Sequence, residues 1–198
     1  MLFRSRPLPE VPVEELICSV GWEARDYRTL IDAVRPLSVR AELAVGAIAK
    51  PLLGDTTGPV ARSLREIAGD GLPPNVTLTQ RKPRELRALY ARSKVVVITV
   101  KDVEFDAGVT ATTEAMAMGK PVIASRTPGI GDLFEHGVQG LYVPPGDAAA
   151  LRETLVHLLL HPDEAARMGR AGREKVERDH TLDACMGRFA EVVRGASA

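Results

Sequence analysis

Short apolar runs alternate along the chain with stretches in which apolar residues recur every three or four positions. Leu16–Val20 is a compact apolar run that stops at Gly21. Asp26 to Leu37 follows, with Leu30, Ile31, Ala33 and Val34 at helical spacing. Ala41–Val45 predicts a second strand, again stopped by a glycine, Gly46. Pro59 to Ala68 predicts a helix, with a proline near its start and Gly69 beyond its end. Val76–Leu78 predicts a strand, and Pro83 to Arg92 a helix with Leu86, Leu89 and Tyr90 on one face. Val95–Val100 is apolar on both faces, the pattern of a parallel strand covered on both sides. Thr110 to Met118 predicts a helix, and Val122–Ala124 and Leu141–Val143 predict strands. Strands separated by helices imply right-handed βαβ units. The expected fold is therefore α/β: a Rossmann-like doubly wound parallel sheet of about six strands.

From Asp147 onward the strands stop. Ala148–Leu160, with Leu151, Leu155, Leu158 and Leu159 as an apolar stripe, predicts one helix. Pro162–Val176 and Thr181–Val193 predict two more. Three short helices make a poor core alone, so this tail is expected to wrap over the sheet as a C-terminal cap. Pro7, Pro9 and Pro12 mark an extended lead-in. The expected organisation is a linker-like lead-in over 1–13 and one domain over 14–198, its helical tail beginning near 147.

Charge narrows the function. Lys plus Arg is 26 and Asp plus Glu is 26, so the net charge is zero. Nothing then drives the chain toward nucleic acid or an anionic membrane in bulk, and any anion site must be local. Cys18 and Cys185 cannot make a disulfide framework, and both read as free core thiols. No apolar run approaches the ~20 residues of a membrane span, and Met1–Glu10 lacks the apolar core of a signal peptide. A cytoplasmic location is the expectation. The four histidines are scattered, and no metal site is expected.

In such a sheet, ligands bind at the C-terminal strand ends. The residues just after the strands include Arg25, Lys50, Arg81, Lys82, Lys101 and Arg126, a rim suited to a small anion. Polar loops are also the general rule, so this enrichment has an ordinary explanation as well. Asp106-Ala107-Gly108-Val109-Thr110 runs into a helix whose free N–H groups suit a phosphate. The plainer alternative makes Thr110 an N-cap and Glu114 a first-turn acid favoured by the helix dipole. No G-x-G-x-x-G opens the first helix, so a nicotinamide enzyme lacks support. Trp22 could stack on a nucleotide, but a partly buried loop aromatic is the simpler expectation. His180, at a helix junction, reads as structural or capping.

Asp106, seven residues, then Glu114-Ala115-Met116-Ala117-Met118-Gly119-Lys120-Pro121-Val122-Ile123-Ala124-Ser125 resembles the E-x7-E signature of the group 1 glycosyltransferases (family 4, GT-B fold). Ser19-Val20-Gly21 through Ala33, Glu85–Ala91, Thr127-Pro128-Gly129, His136–Val143 and Pro145-Gly146-Asp147 resemble further segments of that family in order. The resemblance covers roughly 14–193. It implies one half of a GT-B fold, the C-terminal, donor-binding half. It also implies a hexosyltransferase type of activity, transferring sugar from a nucleoside-diphosphate sugar with retention and without a metal, and needing no cofactor beyond the donor.

Carried over by position, Glu114 would meet the ribose hydroxyls, and Asp106 the transferred sugar. The backbone of Gly108, Val109 and Thr110 would hold the pyrophosphate, and Arg25, beside Gly21, would neutralise it as it leaves. Gln80, Arg81 and Lys82 would lie near the nucleobase. The implied partner is an N-terminal, acceptor-binding half in cis or trans. Any peripheral membrane association would pass through that half, and without it the chain is expected to be inactive. The signature departs from the family in three places: Asp106 stands where Glu is usual, Ala107–Thr110 replaces G-F-G-L, and Trp22 replaces an Arg while Arg25 takes the place of a Lys. A stand-alone nucleotide-sugar-binding module without turnover is the alternative reading.

Overall fold

The computed structural model describes residues 7–45, 67 and 71–195. Six strands form one sheet: β1 (Leu16–Val20), β2 (Arg40–Ala44), β3 (Val76–Thr79), β4 (Val95–Ile98), β5 (Val122–Ser125) and β6 (Gly140–Val143). Every pairing is parallel, in the order β3-β2-β1-β4-β5-β6. The order reverses between β1 and β4, which are neighbours in space but far apart in sequence. A crevice opens at such a switch point, outside the carboxyl ends of the two strands.

Both faces of the sheet are covered, and so β1, β4 and β5 are buried along their whole length. On one face Cys18, Val96 and Ile98 pack with Leu89 and Tyr90 of α2 (Pro83–Arg92) and with Ala115 and Met116 of α3 (Val109–Ala117). On the other, Ile17, Val95, Val97 and Ile123 pack with Leu30, Ile31 and Val34 of α1 (Tyr27–Val34) and with Leu151, Leu155 and Leu158 of α4 (Ala148–Leu160). Local signals fix where the helices start. The Asp26 carboxylate accepts from the Thr29 N–H at 3.1 Å and caps α1. Asp147 does the same for α4 through Ala150 N–H at 2.9 Å. Pro83 opens α2, whose Glu85 reaches back to the Lys82 N–H at 2.8 Å. Leu8 and Val11, in the proline-containing lead-in, pack against the first core cluster.

The elements differ from the sequence expectation in a few places. β4 stops at Ile98, and Val100 instead forms an isolated antiparallel bridge with Arg25. The helix α5 (Pro162–Asp179) runs three residues past Val176. The tail does not wrap over the sheet as a unit. α4 packs against α1 and the sheet, and α5 against α3, but the last helix, α6 (Leu182–Gly195), buries none of its residues. Leu182, Met186, Phe189 and Val193 form an apolar stripe along α6 that stays exposed. Cys185 lies on this helix and is exposed, so it is not a core thiol; Cys18 is buried, and burial pushes its thiol up to about 12. The helix expected over 59–68 falls almost wholly outside the described residues, as does Lys50.

Candidate functional site

The loop after β1 is zipped to the chain leaving β4. Asp26 N–H donates to Thr99 O at 3.1 Å, and Lys101 N–H to Ala24 O at 2.9 Å. Two departures from ordinary backbone let the loop turn: Gly21 has φ +114° and Ala24 φ +50°. The result fixes the Arg25 guanidinium across the switch point. Its Nε donates to Val20 O at 2.9 Å and its Nη1 to Glu23 O at 3.1 Å. Gly21 makes room for it, since a Cβ there would lie 2.5 Å from Arg25 Nη2. Among the described residues Arg25 forms no ion pair, and burial presses its pKa down from the usual arginine value. A guanidinium held by carbonyls alone, partly withdrawn from water, favours a neutralising anion.

Beyond β4 the chain turns at Gly108, the N-cap of α3, in the left-handed region with φ +96°. A Cβ on Gly108 would lie 2.9 Å from Ile98 Cγ2 and 3.6 Å from Arg25 Nη1. The head of α3 thus stands beside the Arg25 fork. Val109 and Thr110 form its first turn, Val109 half-buried and Thr110 exposed, where backbone N–H groups have no partner within the helix. Thr110 is therefore not the N-cap, and Glu114 lies past the first turn, so the plainer explanation of both residues does not hold.

Glu114 is only 8% exposed. The Tyr90 hydroxyl donates to its Oε2 at 2.8 Å. Burial raises the Glu114 pKa, and the Tyr90 hydrogen bond works against that rise. Asp106, in the loop before α3, is exposed. That loop is meshed with the Thr127-Pro128-Gly129 turn, because a Cβ on Gly129 would lie 2.2 Å from Phe105 O.

Arg81 is placed differently from the rest. Its Nε and Nη2 both reach Glu42 Oε1, at 2.7 and 2.6 Å. Glu42 also accepts from Thr79 Oγ1 at 2.8 Å and from Arg92 Nη2 at 3.2 Å. Arg81 closes an internal network at the end of β3. Sequence reasoning missed Glu42; the only sign was one acid inside the otherwise apolar run Ala41–Val45. Arg126 is exposed and rests over the Tyr142 ring, 4.8 Å from its centroid, so it does not join Arg25. Lys101 does, since a cleft of about 240 Å³ is lined by Trp22, Ala24, Arg25, Asp26, Tyr27, Arg28, Ile67 and Lys101. Trp22, 37% exposed, stands at its edge. His180 ends α5 with its N–H bonded to Val176 O, the structural place expected of it. Among the described residues no cluster of three or more His, Cys, Asp or Glu could hold a metal ion. Among them, too, no helix is long and apolar enough to cross a membrane.

Residues 16–161, which carry Gly21, Arg25, Gly108 and Glu114, match the family model described as "Glycosyl transferases group 1". The chain belongs to the group 1 glycosyltransferases. Over 141 residues it is 31% identical to the amylovoran biosynthesis glycosyltransferase of Erwinia amylovora, a match that covers 69% of this chain and 35% of that protein. Over 149 residues it is 32% identical to the GDP-mannose-dependent alpha-(1-6)-phosphatidylinositol monomannoside mannosyltransferase of Mycobacterium tuberculosis, covering 71% of this chain and 38% of that one. The chain thus spans well under half the length of these two relatives. Its fold is also that of the Anabaena protein HepE solved with UDP-glucose, at a TM-score of 0.77, 21% identity, 98% of this chain and 55% of that one. For a group 1 glycosyltransferase, the six-stranded parallel Rossmann-like sheet is as expected.

Proposed function

We propose that this chain is the donor-binding half of a glycosyltransferase, and that the switch-point crevice holds a nucleoside-diphosphate sugar. The observation that carries this is the convergence of the Arg25 guanidinium, without a carboxylate partner among the described residues, on the Gly108 head of α3, its Nη1 3.6 Å from the place of the missing Cβ. A fixed cation and a helix N-terminus meeting at one point make a diphosphate site. Two relatives frame the donor class: one is named for GDP-mannose and another protein of this fold was solved with UDP-glucose. The base and sugar taken by this chain are left to experiment.

The roles follow from chemistry. Glu114 accepts from the ribose diol, and Asp106 from hydroxyls of the transferred sugar. Val109 and Thr110 N–H groups receive the pyrophosphate. In the transfer, the bond from the anomeric carbon to the diphosphate oxygen breaks and its electron pair stays with the diphosphate. The acceptor oxygen bonds to the same face of that carbon, and its proton passes to the departing diphosphate oxygen. Charge grows on the leaving diphosphate, where Arg25, Lys101 and the α3 head stabilise it. In this reading these cations, rather than a metal, supply the electrophilic assistance, and retention comes with the family. A second half, carried in cis or trans, supplies the acceptor, and the exposed apolar stripe of α6 is a surface for it. Without that half the chain binds donor but does not transfer sugar, because positioning of the acceptor supplies much of the rate.

The test is a thermal-shift series with UDP, GDP and ADP and their sugars on the wild-type chain and on Arg25→Ala. At a hundred times its dissociation constant, a true ligand adds about 2.7 kcal/mol of stability. Stabilisation by one nucleotide class, lost in Arg25→Ala, is the expected result. No stabilisation by any of them overturns the proposal. Sugar transfer by the unaided chain overturns the half-enzyme part of it.

A further inference from the structure

Tyr90 has no role in the reading above, yet among the described residues it is the one side chain that grips Glu114. It stands on the inner face of α2, 2% exposed, inside the cluster that holds Cys18, Val96 and Met116. Packing alone would be served by phenylalanine. The hydroxyl instead reaches across to another helix and donates to Glu114 Oε2 at 2.8 Å. A phenol and a carboxylate meeting in an apolar cluster are not a stabilising choice, since a pair of apolar groups of the same shape is often as good or better. The bond also constrains the acid. With Oε2 held, the carboxylate plane is fixed, and among the described residues no donor reaches Oε1.

We propose that Tyr90 is a positioning residue of the nucleotide-sugar site, holding Oε2 of Glu114 so that Oε1 is presented to the ribose hydroxyls. This inference rests on the reading of the site given above. The charges around the pair fit it. Burial raises the Glu114 pKa and the Tyr90 hydroxyl lowers it, so the bond helps keep the acid ionised as an acceptor. Tyr90 itself is kept neutral, chiefly by burial and then by the Glu114 charge; Cys18 and Arg25 are the other ionisable groups it senses.

The experiment compares Tyr90→Phe with wild type by titration calorimetry, using UDP, GDP or ADP (whichever binds the wild type), its 2′,3′-dideoxy counterpart, and inorganic pyrophosphate. The expected result is a loss of about tenfold for the ribose-bearing nucleotide, the weight of one hydrogen bond to a charged group. The dideoxy nucleotide and pyrophosphate should bind both proteins alike. A merely structural role predicts equal losses for all three probes, and that result overturns the inference, as does an unchanged affinity for the ribose-bearing nucleotide. Should Tyr90→Phe fail to fold with the buried carboxylate unpaired, the same probes are read on Glu114→Gln with and without Tyr90→Phe. There the charge is gone, and the further loss expected is again confined to the ribose-bearing nucleotide; no further loss overturns the inference. If wild type binds none of UDP, GDP and ADP, the site reading itself fails and this inference falls with it.

Discussion

Gly21 and Arg25 fit together so closely that a single methyl group at residue 21 would fall 2.5 Å from the Arg25 Nη2 atom. The arginine is held by two backbone carbonyls, Val20 O and Glu23 O, in space that only a glycine at residue 21 leaves open.

Gly21→Ala should therefore act twice. The positive φ of +114° costs about 1–3 kcal/mol for an alanine, and the guanidinium must move. We expect a lowered denaturation midpoint together with a loss of nucleotide affinity of at least tenfold. Gly119→Ala is the control: its φ is +70°, but a Cβ there meets nothing within 4 Å. It should cost about 1–2 kcal/mol of stability and leave affinity unchanged. Parallel urea melts and titrations on the two variants check this, and equal losses of affinity would remove Gly21 from the site.

Glu42 gathers Arg81, Arg92 and Thr79 at the open edge of the sheet. Its side chain is 11% exposed and those of the two arginines 32% and 31%. Glu42→Ala leaves Arg81 without its acid and Arg92 with Glu14 alone, whose Oε1 lies 3.3 Å from its Nη1. Because the arginines are about a third exposed, solvent softens the penalty, and a loss of about 2–3 kcal/mol is expected rather than the larger cost of a fully buried pair. Chemical denaturation measures it. A change below about 0.5 kcal/mol would mean that the network contributes little to stability.

The raised pKa of Glu114 has a definite sign in stability. The unfolded acid releases its proton near its ordinary value of about 4.3, while the folded one holds it to higher pH. Between those values the native state binds more protons, so this group's contribution falls as pH rises and stays low above the folded pKa. Tyr90 stays neutral across that range because burial raises its own pKa. The unfolding free energy of wild type relative to Glu114→Gln should decline as pH rises from about 4, then level off. Denaturation of both proteins from acid to neutral pH tests it, and a flat difference would show that burial does not shift this acid.

Cys18 lies in the core with its thiol pushed up to about 12, whereas Cys185 is exposed on α6. A thiol reagent should modify one cysteine in the native chain and two after unfolding. Because α6 buries nothing, replacing Phe189 by serine should change stability by less than about 0.5 kcal/mol. Two reactive thiols in the native state would contradict the burial of β1.

Much of this was readable in the sequence because the relevant forces are local. The Val95–Val100 run, apolar on both faces, predicted a covered parallel strand, and β4 lies within it. Asp26, Pro83 and Asp147 announce helix starts through their own side chains. The bridge between Arg25 and Val100 was not readable, because it joins two loops through backbone groups that every residue has. Glu42 was missed because one acid in a strand looks the same whether it faces water or two arginines from elsewhere in the chain. The exposure of α6 was missed for a related reason. An apolar stripe at helical spacing states that something covers it, but not that the cover comes from the same fold. The Asp106 and Glu114 spacing was legible as a family signature, while Tyr90 read only as an apolar-face position of α2, with nothing to pair its hydroxyl with Glu114.

The close approach of Gly129 to Phe105 has a mechanical consequence. With only 2.2 Å between Phe105 O and the place where a Cβ would stand, the two loops touch backbone to backbone, with no flexible side chain between them to absorb a displacement. Backbone atoms in such contact resist compression far more stiffly than a rotamer does. The segment that bears Asp106 and the turn at Thr127–Gly129 therefore travel as one piece, so a push delivered at the end of β4 is handed on to the end of β5 without slack.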